Sequence, residues 1–373
     1  MIQLLKPKIH ELSIKLVSQV LRSGWIGLGP MVTAFEKKIS AYLNVKDTVA
    51  LNSGTDALRC AVALCGAKPG SVFISTPNTF VSTNHVLIEA GYKLHFADID
   101  PTDGMITPES IYRILKSGVD VGGIMVVHYG GMPCDLGAIS SIAKEFGVPL
   151  IEDAAHAFGA EYHGRKVGGS TTTFGCFSLH AVKPLCVGDG GLLTTNSAKI
   201  AEAARRWRWL GISKSTIDRA DHTKYSWNYD VVMLGHKSHM NDITAAIGCG
   251  QLANYPGDSK LRQQLVDLYM AKIYPPVLFL TPRLDCKSAN HLMVILCKDS
   301  KHRAGIVKKL TENDIQTGLH YKPNYLYKMY KDVPRENNTK GCEEFYSRAL
   351  TLPLHLEMTG SDIELIAEVI NEV

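Results

Sequence analysis

Short apolar segments alternate with amphipathic segments between residues 48 and 151, and this alternation constrains the fold most strongly. Runs typical of buried strands lie at 48–51, 72–75, 93–97, 123–127 and 148–151, and segments of helical periodicity lie between them at 57–64, 81–90, 108–115 and 136–146. Successive strand–helix units of this kind predict an α/β fold with a mostly parallel central sheet and helices on both faces. In such sheets, ligands bind at the carboxyl ends of the strands.

The flanking segments predict a large domain followed by a smaller one. Helices are predicted at 9–21, 32–42, 198–210 and 243–252, with Arg205, Arg206 and Arg208 on a solvated or interface face of the third of them. From Pro256 onward the pattern changes to a long helix, a strand at 292–296, and helices at 306–310 and 363–370. We therefore predict a large α/β domain over residues 1–255 and a small C-terminal α+β domain over residues 256–373, which suits a chain of 373 residues.

Composition excludes several classes of protein. The net charge of +4 is spread without a basic run, so neither a nucleic-acid-binding surface nor a membrane-binding one is predicted. The 9 cysteines are an odd number and include no Cys-x-x-Cys pair, a pattern that favours reduced cysteines over disulfides or a zinc site. Since residues 1–21 also lack the pattern of a signal peptide or a membrane span, we expect a cytoplasmic protein.

One lysine, Lys183, lies between an apolar run and the Gly-rich turn at 188–191. Buried strands are predicted at 172–174 and 192–194, so Lys183 is expected on a connection between two core strands. Pro184 disfavours the α region at the residue before it, which indicates an extended loop position. An amine held there out of water would have a lowered pKa and could attack a carbonyl. The alternative is a solvated surface lysine.

Two further stretches carry polar groups at the ends of predicted strands. Ser53, Gly54 and Thr55 open a helix directly after a strand, and such a turn presents unpaired N–H groups that can bind a phosphate. The alternative is an ordinary N-cap. Asp153 follows another predicted strand, and His156 comes three residues later. A carboxylate in that position is costly to bury without a cation, unless it caps the next helix.

These features, with Phe80 after a third strand, match what pyridoxal 5'-phosphate (PLP) requires: an amine, a phosphate site, a stacking face and a carboxylate for the pyridine nitrogen. Dinucleotide binding is disfavoured, because no Gly-x-Gly-x-x-Gly pattern follows the first strand and no Walker lysine follows a Gly-rich turn. His236 and His239 lack a third ligand at a supporting spacing, so no metal site is predicted.

The chain resembles the DegT/DnrJ/EryC1/StrS family of PLP-dependent sugar aminotransferases over nearly its whole length. The resemblance is carried, in the family's order, by residues 23–26, 29–30, 35–36, 52–55, 76–80, 152–156, 177–183, 188–191, 240–243, 320–323 and 348–355. It implies PLP fold type I, the fold of aspartate aminotransferase. Pro184 replaces an asparagine that is common in the family, and His156 a common glutamine.

The resemblance also implies roles for individual residues. Lys183 would be the Schiff-base lysine that moves the proton, and Asp153 the partner of the pyridinium nitrogen. The remaining expected cofactor residues are Gly54, Thr55 and Ser178 at the phosphate, Phe80 on the ring, His156 near the cofactor hydroxyl, and Lys237, where many relatives have asparagine. The expected substrate-binding residues are Trp25, His320 and Tyr321.

The activity implied by the resemblance is transfer of an amino group from L-glutamate to a nucleotide-linked keto-sugar, most simply a 4-keto-6-deoxyhexose, in amino-sugar and surface-polysaccharide biosynthesis. The family further implies a homodimer whose active site lies at the interface, with the loop 235–240 reaching into the neighbouring site. The alternatives are a PLP-dependent keto-sugar dehydratase, in whose relatives histidine replaces the lysine, a non-catalytic regulatory relative, and a keto-cyclitol acceptor.

Overall fold

Strands and helices alternate along the first half of the chain in the computed structural model, which describes residues 1–169, 172–214 and 229–373. The strands within these ranges are β1 (Asp47–Leu51), β2 (Val72–Ser75), β3 (Lys93–Phe96), β4 (Val121–Val127), β5 (Leu150–Asp153), β6 (Glu161–Tyr162), β7 (Arg165–Lys166), β8 (Phe174–Ser178), β9 (Gly191–Thr195), β10 (Leu278–Phe279), β11 (Cys286–Lys287), β12 (Met293–Leu296) and β13 (Ala349–Leu352).

The helices of the same ranges pack mainly around these strands. They are α1 (Glu11–Ser23), α2 (Pro30–Leu43), α3 (Gly54–Leu64), α4 (Ser82–Glu89), α5 (Pro108–Lys116), α6 (Leu136–Glu145), α7 (Ala198–Trp207), α8 (Asp242–Lys272), α9 (Ser300–Glu312), α10 (Lys340–Arg348) and α11 (Gly360–Asn371), with short 3-10 turns at Tyr129–Gly131, Asn324–Leu326, Lys328–Tyr330 and Glu336–Thr339. None of the helices in the described part of the chain combines the length and apolar character that a membrane span requires.

The central sheet has seven strands in the order β1-β9-β8-β5-β4-β2-β3. The pairs β2–β3, β2–β4, β4–β5 and β5–β8 are parallel, whereas β9 runs antiparallel to both of its neighbours. The predicted α/β fold with a mostly parallel sheet is therefore confirmed. Because the connections return each parallel strand in the same direction, the carboxyl ends of these strands lie at one edge of the sheet. The strands concerned are β1, β2, β4, β5 and β8.

Two predicted segments differ from the structure. The strand expected at 172–174 begins instead at Phe174 and runs to Ser178. Thr172 lies outside the sheet, where its hydroxyl donates to the carboxylate of Glu152. The helix predicted at 243–252 does not end before Pro256 but continues through it as the 31-residue helix α8. A proline removes one helical hydrogen bond, and burial of Leu252 and Tyr255 in the turn that leads into Pro256 offsets this loss.

The prediction for Arg208 is wrong. This side chain is only 5% exposed, forms an ion pair with Glu36, and donates to the carbonyl oxygen of Ala50 at 2.6 Å. Burial of an arginine requires such compensation, and α2 supplies the carboxylate. Arg208 therefore ties the end of α7 to α2 and β1 instead of facing solvent.

The loop before α2 is fixed by a residue that lies far away in the chain. The Asp242 carboxylate, at the start of α8, accepts the N–H groups of Gly29, Met31 and Val32 at 2.9 to 3.0 Å. These are among the first N–H groups of α2, which have no acceptor within the helix. Asp242 thus caps α2 and holds it against α8.

Within the described ranges, buried apolar side chains form two clusters. The larger surrounds the seven-stranded sheet, and the smaller joins the second half of α8 to β12, β13, α9 and α11 through residues such as Leu265, Ile306, Leu352 and Ile366. A second sheet, β10-β12-β13, supports the smaller cluster. The domain boundary that we propose between residues 255 and 256 falls within α8, between these two clusters.

Candidate active site

A cavity of about 350 Å³ opens at the edge of the sheet where the parallel strands end. Its walls follow directly after β1, β2, β5 and β8, as expected for a ligand site in this class of fold. The cavity brings together nine of the residues predicted from the sequence: Gly54, Thr55, Phe80, Asp153, His156, Ser178, Lys183, His320 and Tyr321.

Lys183 lies on the connection between the antiparallel strands β8 and β9, as predicted. Its N–H donates to the carbonyl oxygen of His180 at 2.9 Å, and the next residue, the buried Pro184, prevents this turn from continuing as a helix. The residue is half-buried and lines the cavity. Burial lowers the pKa of Lys183 to about 8, although the nearby carboxylate of Asp153 acts in the opposite direction.

Asp153 is the last residue of β5 and is 4% exposed. Its carboxylate accepts the Thr83 hydroxyl at 2.7 Å and the N–H of Ala155 at 3.1 Å. Burial raises the pKa of Asp153, and these two hydrogen bonds together with Lys183 offset the effect only in part. The structure shows no helix beginning at this residue, so the capping alternative does not apply. A cation placed against this carboxylate would relieve the cost of burying it.

The N-terminus of α3 forms the opposite wall. The hydroxyl oxygen of Ser53 accepts the N–H of Asp56 at 3.1 Å, and its carbonyl oxygen accepts that of Ala57 at 3.1 Å. The N–H groups of Gly54 and Thr55 are left for a ligand at the positive end of the helix dipole. Ser53 therefore caps the helix, and because it does so without using these two N–H groups, a phosphate site at Gly54 and Thr55 stays a prediction.

Glycine is required at position 54 by a close approach. A Cβ atom at this position would lie 2.8 Å from Cβ of Ser178 and 3.2 Å from its hydroxyl oxygen. The end of β8 can therefore lie beside the first turn of α3 only because residue 54 has no side chain. This contact places the Ser178 hydroxyl next to the free N–H groups of α3.

Phe80 and Tyr321 form an aromatic wall. The Phe80 side chain precedes α4, is 58% exposed, and lies with its ring centroid 6.2 Å from that of Tyr321. An exposed ring at the mouth of a cavity offers a face on which a flat ligand can stack.

The protonation state of His156 follows from its hydrogen bonds. Burial, together with the nearby Lys183 and His320, holds the pKa of His156 well below its usual value, so the ring is neutral. Its Nδ1 accepts the N–H of Gly130 at 3.3 Å, and the remaining nitrogen, Nε2, therefore carries the proton and donates to the Tyr321 oxygen at 2.9 Å. Burial raises the pKa of Tyr321, so the phenol stays protonated and its O–H is free to donate into the cavity.

His320 closes one side of the cavity. Its Nδ1 lies 2.9 Å from the hydroxyl of Thr351, in β13, which ties it to the C-terminal part of the chain. Burial lowers the pKa of His320 to about 4, and the positive charge of Lys183 adds to this effect. His320 is therefore a neutral side chain near neutral pH.

Sequence reasoning missed two residues at this site. Thr83, the donor to Asp153, also lies 2.8 Å from the Thr79 hydroxyl, and His291 lies with its Nε2 atom 3.4 Å from Nζ of Lys183. Neither residue belongs to a pattern that could have revealed it. Thr83 reads as an ordinary polar position early in a helix, and His291 as a single histidine before an apolar strand.

Trp25 and Lys237 are not brought to the cavity of their own chain. The Trp25 indole donates to the carbonyl oxygen of Leu28 at 3.2 Å in the turn before α2, and 37% of the side chain is exposed. Lys237 is exposed, with its amine 5.6 Å from the ring centroid of Trp209. Their assignment to the site stays a prediction.

The residues that line the cavity fit PLP. A buried carboxylate without a full set of donors, an amine of lowered pKa, and a helix N-terminus that only glycine allows beside Ser178 lie around one space. Asp153 would face the pyridine nitrogen, the first turn of α3 with Ser178 would hold the phosphate, and Phe80 would cover the ring. Lys183 would provide the amine that bonds to the aldehyde.

Comparison with known proteins identifies the family. The model of the DegT/DnrJ/EryC1/StrS aminotransferase family matches residues 7–371. The spore coat polysaccharide biosynthesis protein SpsC of Bacillus subtilis is 32% identical over 379 residues, which cover 98% of this chain and 95% of SpsC. The UDP-4-amino-4,6-dideoxy-N-acetyl-beta-L-altrosamine transaminase of Campylobacter jejuni serotype O:23/36 is 30% identical over 365 residues, which cover 96% of this chain and 94% of that enzyme.

A solved structure agrees with these sequence matches. The structure of Helicobacter pylori PseC, an aminotransferase involved in the biosynthesis of pseudoaminic acid, superposes with a TM-score of 0.90 at 28% identity and covers 100% of this chain and 98% of PseC. The fold, the residues around the cavity and the whole-length sequence match agree. The chain therefore belongs to the DegT/DnrJ/EryC1/StrS family and is a PLP-dependent aminotransferase.

Proposed function

We propose that this chain transfers the amino group of L-glutamate to the keto group of a nucleotide-linked sugar of the 4-keto-6-deoxyhexose type, in the biosynthesis of amino sugars for surface polysaccharides. The observation that carries this proposal is Lys183, an amine of lowered pKa in the same cavity as the buried carboxylate of Asp153 and the N-terminus of α3. Two of the relatives support a sugar substrate: one is a transaminase of a UDP-linked amino-dideoxy sugar, and another is a polysaccharide biosynthesis protein.

When bound, PLP supplies an aldehyde that carries the amino group between two substrates and a ring that withdraws electrons from the reacting carbon. Lys183, with a pKa of about 8, is partly neutral near neutral pH and can accept a proton from the substrate carbon. In its protonated form it can return that proton to a neighbouring atom. One side chain can therefore act as base and as acid within one turnover.

The other side chains orient and stabilise. Asp153 would hold a negative charge against the pyridine nitrogen, and the Thr83 hydroxyl donates to this carboxylate at 2.7 Å. The N–H groups of Gly54 and Thr55 and the hydroxyl of Ser178 would bind the phosphate. The free O–H of Tyr321, which is oriented by His156, is available to a ligand oxygen in the cavity. His320 and Tyr321 would contact the substrate.

We further propose a cytoplasmic homodimer in which Trp25 and Lys237 complete the site of the neighbouring protomer. Both residues are exposed on their own protomer, as are the apolar side chains of Leu21 and Ile26, which are 55% and 52% exposed. Contact with a second protomer would cover these apolar groups. All nine cysteines lie in the described ranges and are unpaired, in accord with a reducing compartment.

The two half-reactions test the proposed function separately. Protein loaded with PLP is mixed with L-glutamate, and formation of 2-oxoglutarate is measured. The resulting amino form is then mixed with a panel of nucleotide keto-sugars, and the products are weighed by mass spectrometry. We expect a product in which an amine replaces the keto oxygen. The Lys183→Met variant is the matched control and should complete neither half-reaction at a comparable rate.

The outcomes distinguish the alternatives. A sugar product that has lost a hydroxyl group without gaining nitrogen would identify a dehydratase and contradict the proposal. Absence of 2-oxoglutarate with every PLP-loaded preparation would contradict glutamate as the donor. Formation of 2-oxoglutarate without amination of any nucleotide keto-sugar in the panel would contradict the proposed acceptor class.

A further inference from the structure

His291 is a buried histidine beside the reactive lysine, in the segment between β11 and β12. Its side chain lies with Nε2 3.4 Å from Nζ of Lys183, and the whole residue is 2% exposed. The ring centroid is 4.6 Å from that of His156. His291 therefore reaches the amine of Lys183 although 108 residues separate the two positions.

One glycine turn after β4 positions both histidines. The N–H of Gly130 donates to Nδ1 of His156 at 3.3 Å, and its carbonyl oxygen accepts the backbone N–H of His291 at 3.1 Å. Gly131 has φ +102°, and a Cβ there would lie 3.0 Å from the carbonyl oxygen of His156 and 3.1 Å from the nitrogen of His291. Only glycine allows these segments to approach so closely. The position of His291 relative to Lys183 is thus built into the backbone.

The charged groups that face His291 keep its ring neutral, and a neutral ring can accept a hydrogen bond from a protonated Lys183. Burial, and then the positive charge of Lys183 with contributions from His156, Arg262 and His320, holds the pKa of His291 well below its usual value. The ring is therefore neutral, with one N–H and one lone pair. A protonated Lys183 has only donors, so Nε2 must accept from it and the ring proton lies on Nδ1.

The other ring nitrogen does not compete with this contact. Nδ1 of His291 is buried and has no hydrogen-bond partner within the described residues. A buried N–H without a partner costs stability, so an apolar side chain would fill this space at a lower free-energy cost than a histidine. The interaction that can offset this cost is the one at Nε2.

We propose that His291 is a positioning residue that accepts a hydrogen bond from the amine of Lys183 whenever this amine is not bonded to the cofactor. The amine that is set free when a substrate amine takes its place is then held at a fixed point beside the reacting atoms. The proposal takes from the proposed function only the reactive role of Lys183, and its test uses neither glutamate nor a sugar. Failure of this proposal is therefore distinguishable from failure of the proposed function.

The expected effect is a change in the pH at which Lys183 loses its proton. A hydrogen bond from the ammonium favours the charged form, so the acceptor at His291 opposes the effect of burial. Asp153 acts in the same direction as His291, whereas the other side chains near Lys183, His156 and His320, are neutral. Replacing His291 with an apolar residue removes no charge and leaves these groups in place. It therefore lowers the pKa of Lys183 further.

The test is competitive acetylation of the full-length chain without cofactor, with acetic anhydride as the probe and mass spectrometry of the peptide that contains Lys183. The wild-type midpoint should lie near pH 8. In His291→Leu the midpoint should fall by about one pH unit, a roughly tenfold change in the acid dissociation constant. In His291→Gln, whose amide oxygen can accept, the midpoint should return toward the wild-type value.

A matched control comes from His355, which is also buried and whose two ring nitrogens have no partner within the described residues. His355→Leu should leave the Lys183 midpoint unchanged. If His291→Leu does not fold, His291→Phe fills the ring volume without an acceptor and carries the same test. An unchanged midpoint in the apolar variants, or an equal shift in the His355 control, would overturn the proposal.

Discussion

Glu152 and Asp153 are consecutive residues at the end of β5, yet their carboxylates lie in opposite environments. Glu152 points into the core, where it is 0% exposed and accepts from the ring Nε2 of His128 at 2.9 Å, the N–H groups of Gly168 and Gly169 at 2.8 and 3.0 Å, and the hydroxyl of Thr172. Asp153 points toward the cavity and has two donors.

The pKa values of the two carboxyl groups reflect this difference. Burial alone would raise the pKa of Glu152, but the hydrogen bonds from His128, Thr172 and Gly169 outweigh burial and lower it. Burial also raises the pKa of Asp153, and there the raised value persists because fewer donors oppose it. Glu152 is a carboxylate whose partners all belong to the protein. Asp153 is one whose burial a cationic ligand in the cavity would offset.

Replacing each carboxylate by its amide tests the difference between Asp153 and Glu152 most strongly. We expect Asp153→Asn to reduce transamination by about 100-fold with a change in unfolding free energy below about 1 kcal/mol, because the proposed function places the lost charge against the cofactor. Glu152→Gln should lower the unfolding free energy by about 2–4 kcal/mol, since it removes an acceptor that several buried donors share. Chemical denaturation and initial rates measure both. The reverse pattern would refute the division of roles.

Two glycines offer a second matched pair. Gly54→Ala places a Cβ 2.8 Å from Ser178 Cβ on the cavity side and should weaken PLP binding about tenfold, as measured by cofactor titration. Gly168 donates to Glu152 with φ +92°, and its Cβ would lie 2.2 Å from Cζ of Phe177, so Gly168→Ala should cost about 2–4 kcal/mol of stability. Gly257→Ala, where a Cβ meets nothing within 4 Å, is the control for both.

The dependence of stability on pH tests the lowered pKa of Lys183 in the cavity. The pKa of Lys183 falls from 10.5 to about 8 on folding, so the unfolded chain binds more protons between these values and stability rises with pH across this range. Lys183→Met should therefore raise the unfolding free energy at pH 7 by about 1–3 kcal/mol, and this gain should shrink between pH 8 and pH 10.5. Thermal unfolding of both proteins across this range measures the difference. A gain that does not change with pH would contradict the lowered pKa.

The smallest expected effects come from the two threonines that donate to these carboxylates. Thr83→Val removes a donor to Asp153 and should reduce activity about 3- to 10-fold with little loss of stability. Thr172→Val removes a donor to Glu152 and should cost about 1 kcal/mol with little loss of activity per folded molecule. Equal losses of activity and of stability in the two variants would contradict the different roles of Asp153 and Glu152.

Much of the fold could be predicted because its signals are local. The apolar runs that became β2 and β3 and the capped starts of α3 and α5 depend on neighbouring residues, and their predicted positions agree with the structure within a few residues. Lys183 could be singled out because Pro184 and the glycines that follow it determine its loop. Asp153 could be placed because a strand ends there.

The remaining features depend on distant contacts. The sequence near Arg208 gives no sign of Glu36, which lies 172 positions earlier and makes the arginine a buried partner instead of a surface one. His291 reaches Lys183 only after the Gly130 turn and the C-terminal half of the chain have packed together. The continuation of α8 through Pro256 likewise reflects burial of the residues around that turn, which outweighs the local signal of a proline.

The central claim is that the amine of Lys183 bonds to PLP. The direct measurement is reduction of the PLP-loaded protein with sodium borohydride, followed by proteolysis and mass spectrometry, with Lys183→Met treated in parallel. We predict the added mass of the reduced cofactor on the peptide containing Lys183, and no such peptide from the variant. Attachment of the cofactor to another lysine, such as Lys237 or Lys322, or equal attachment in the Lys183→Met variant, would contradict the assignment.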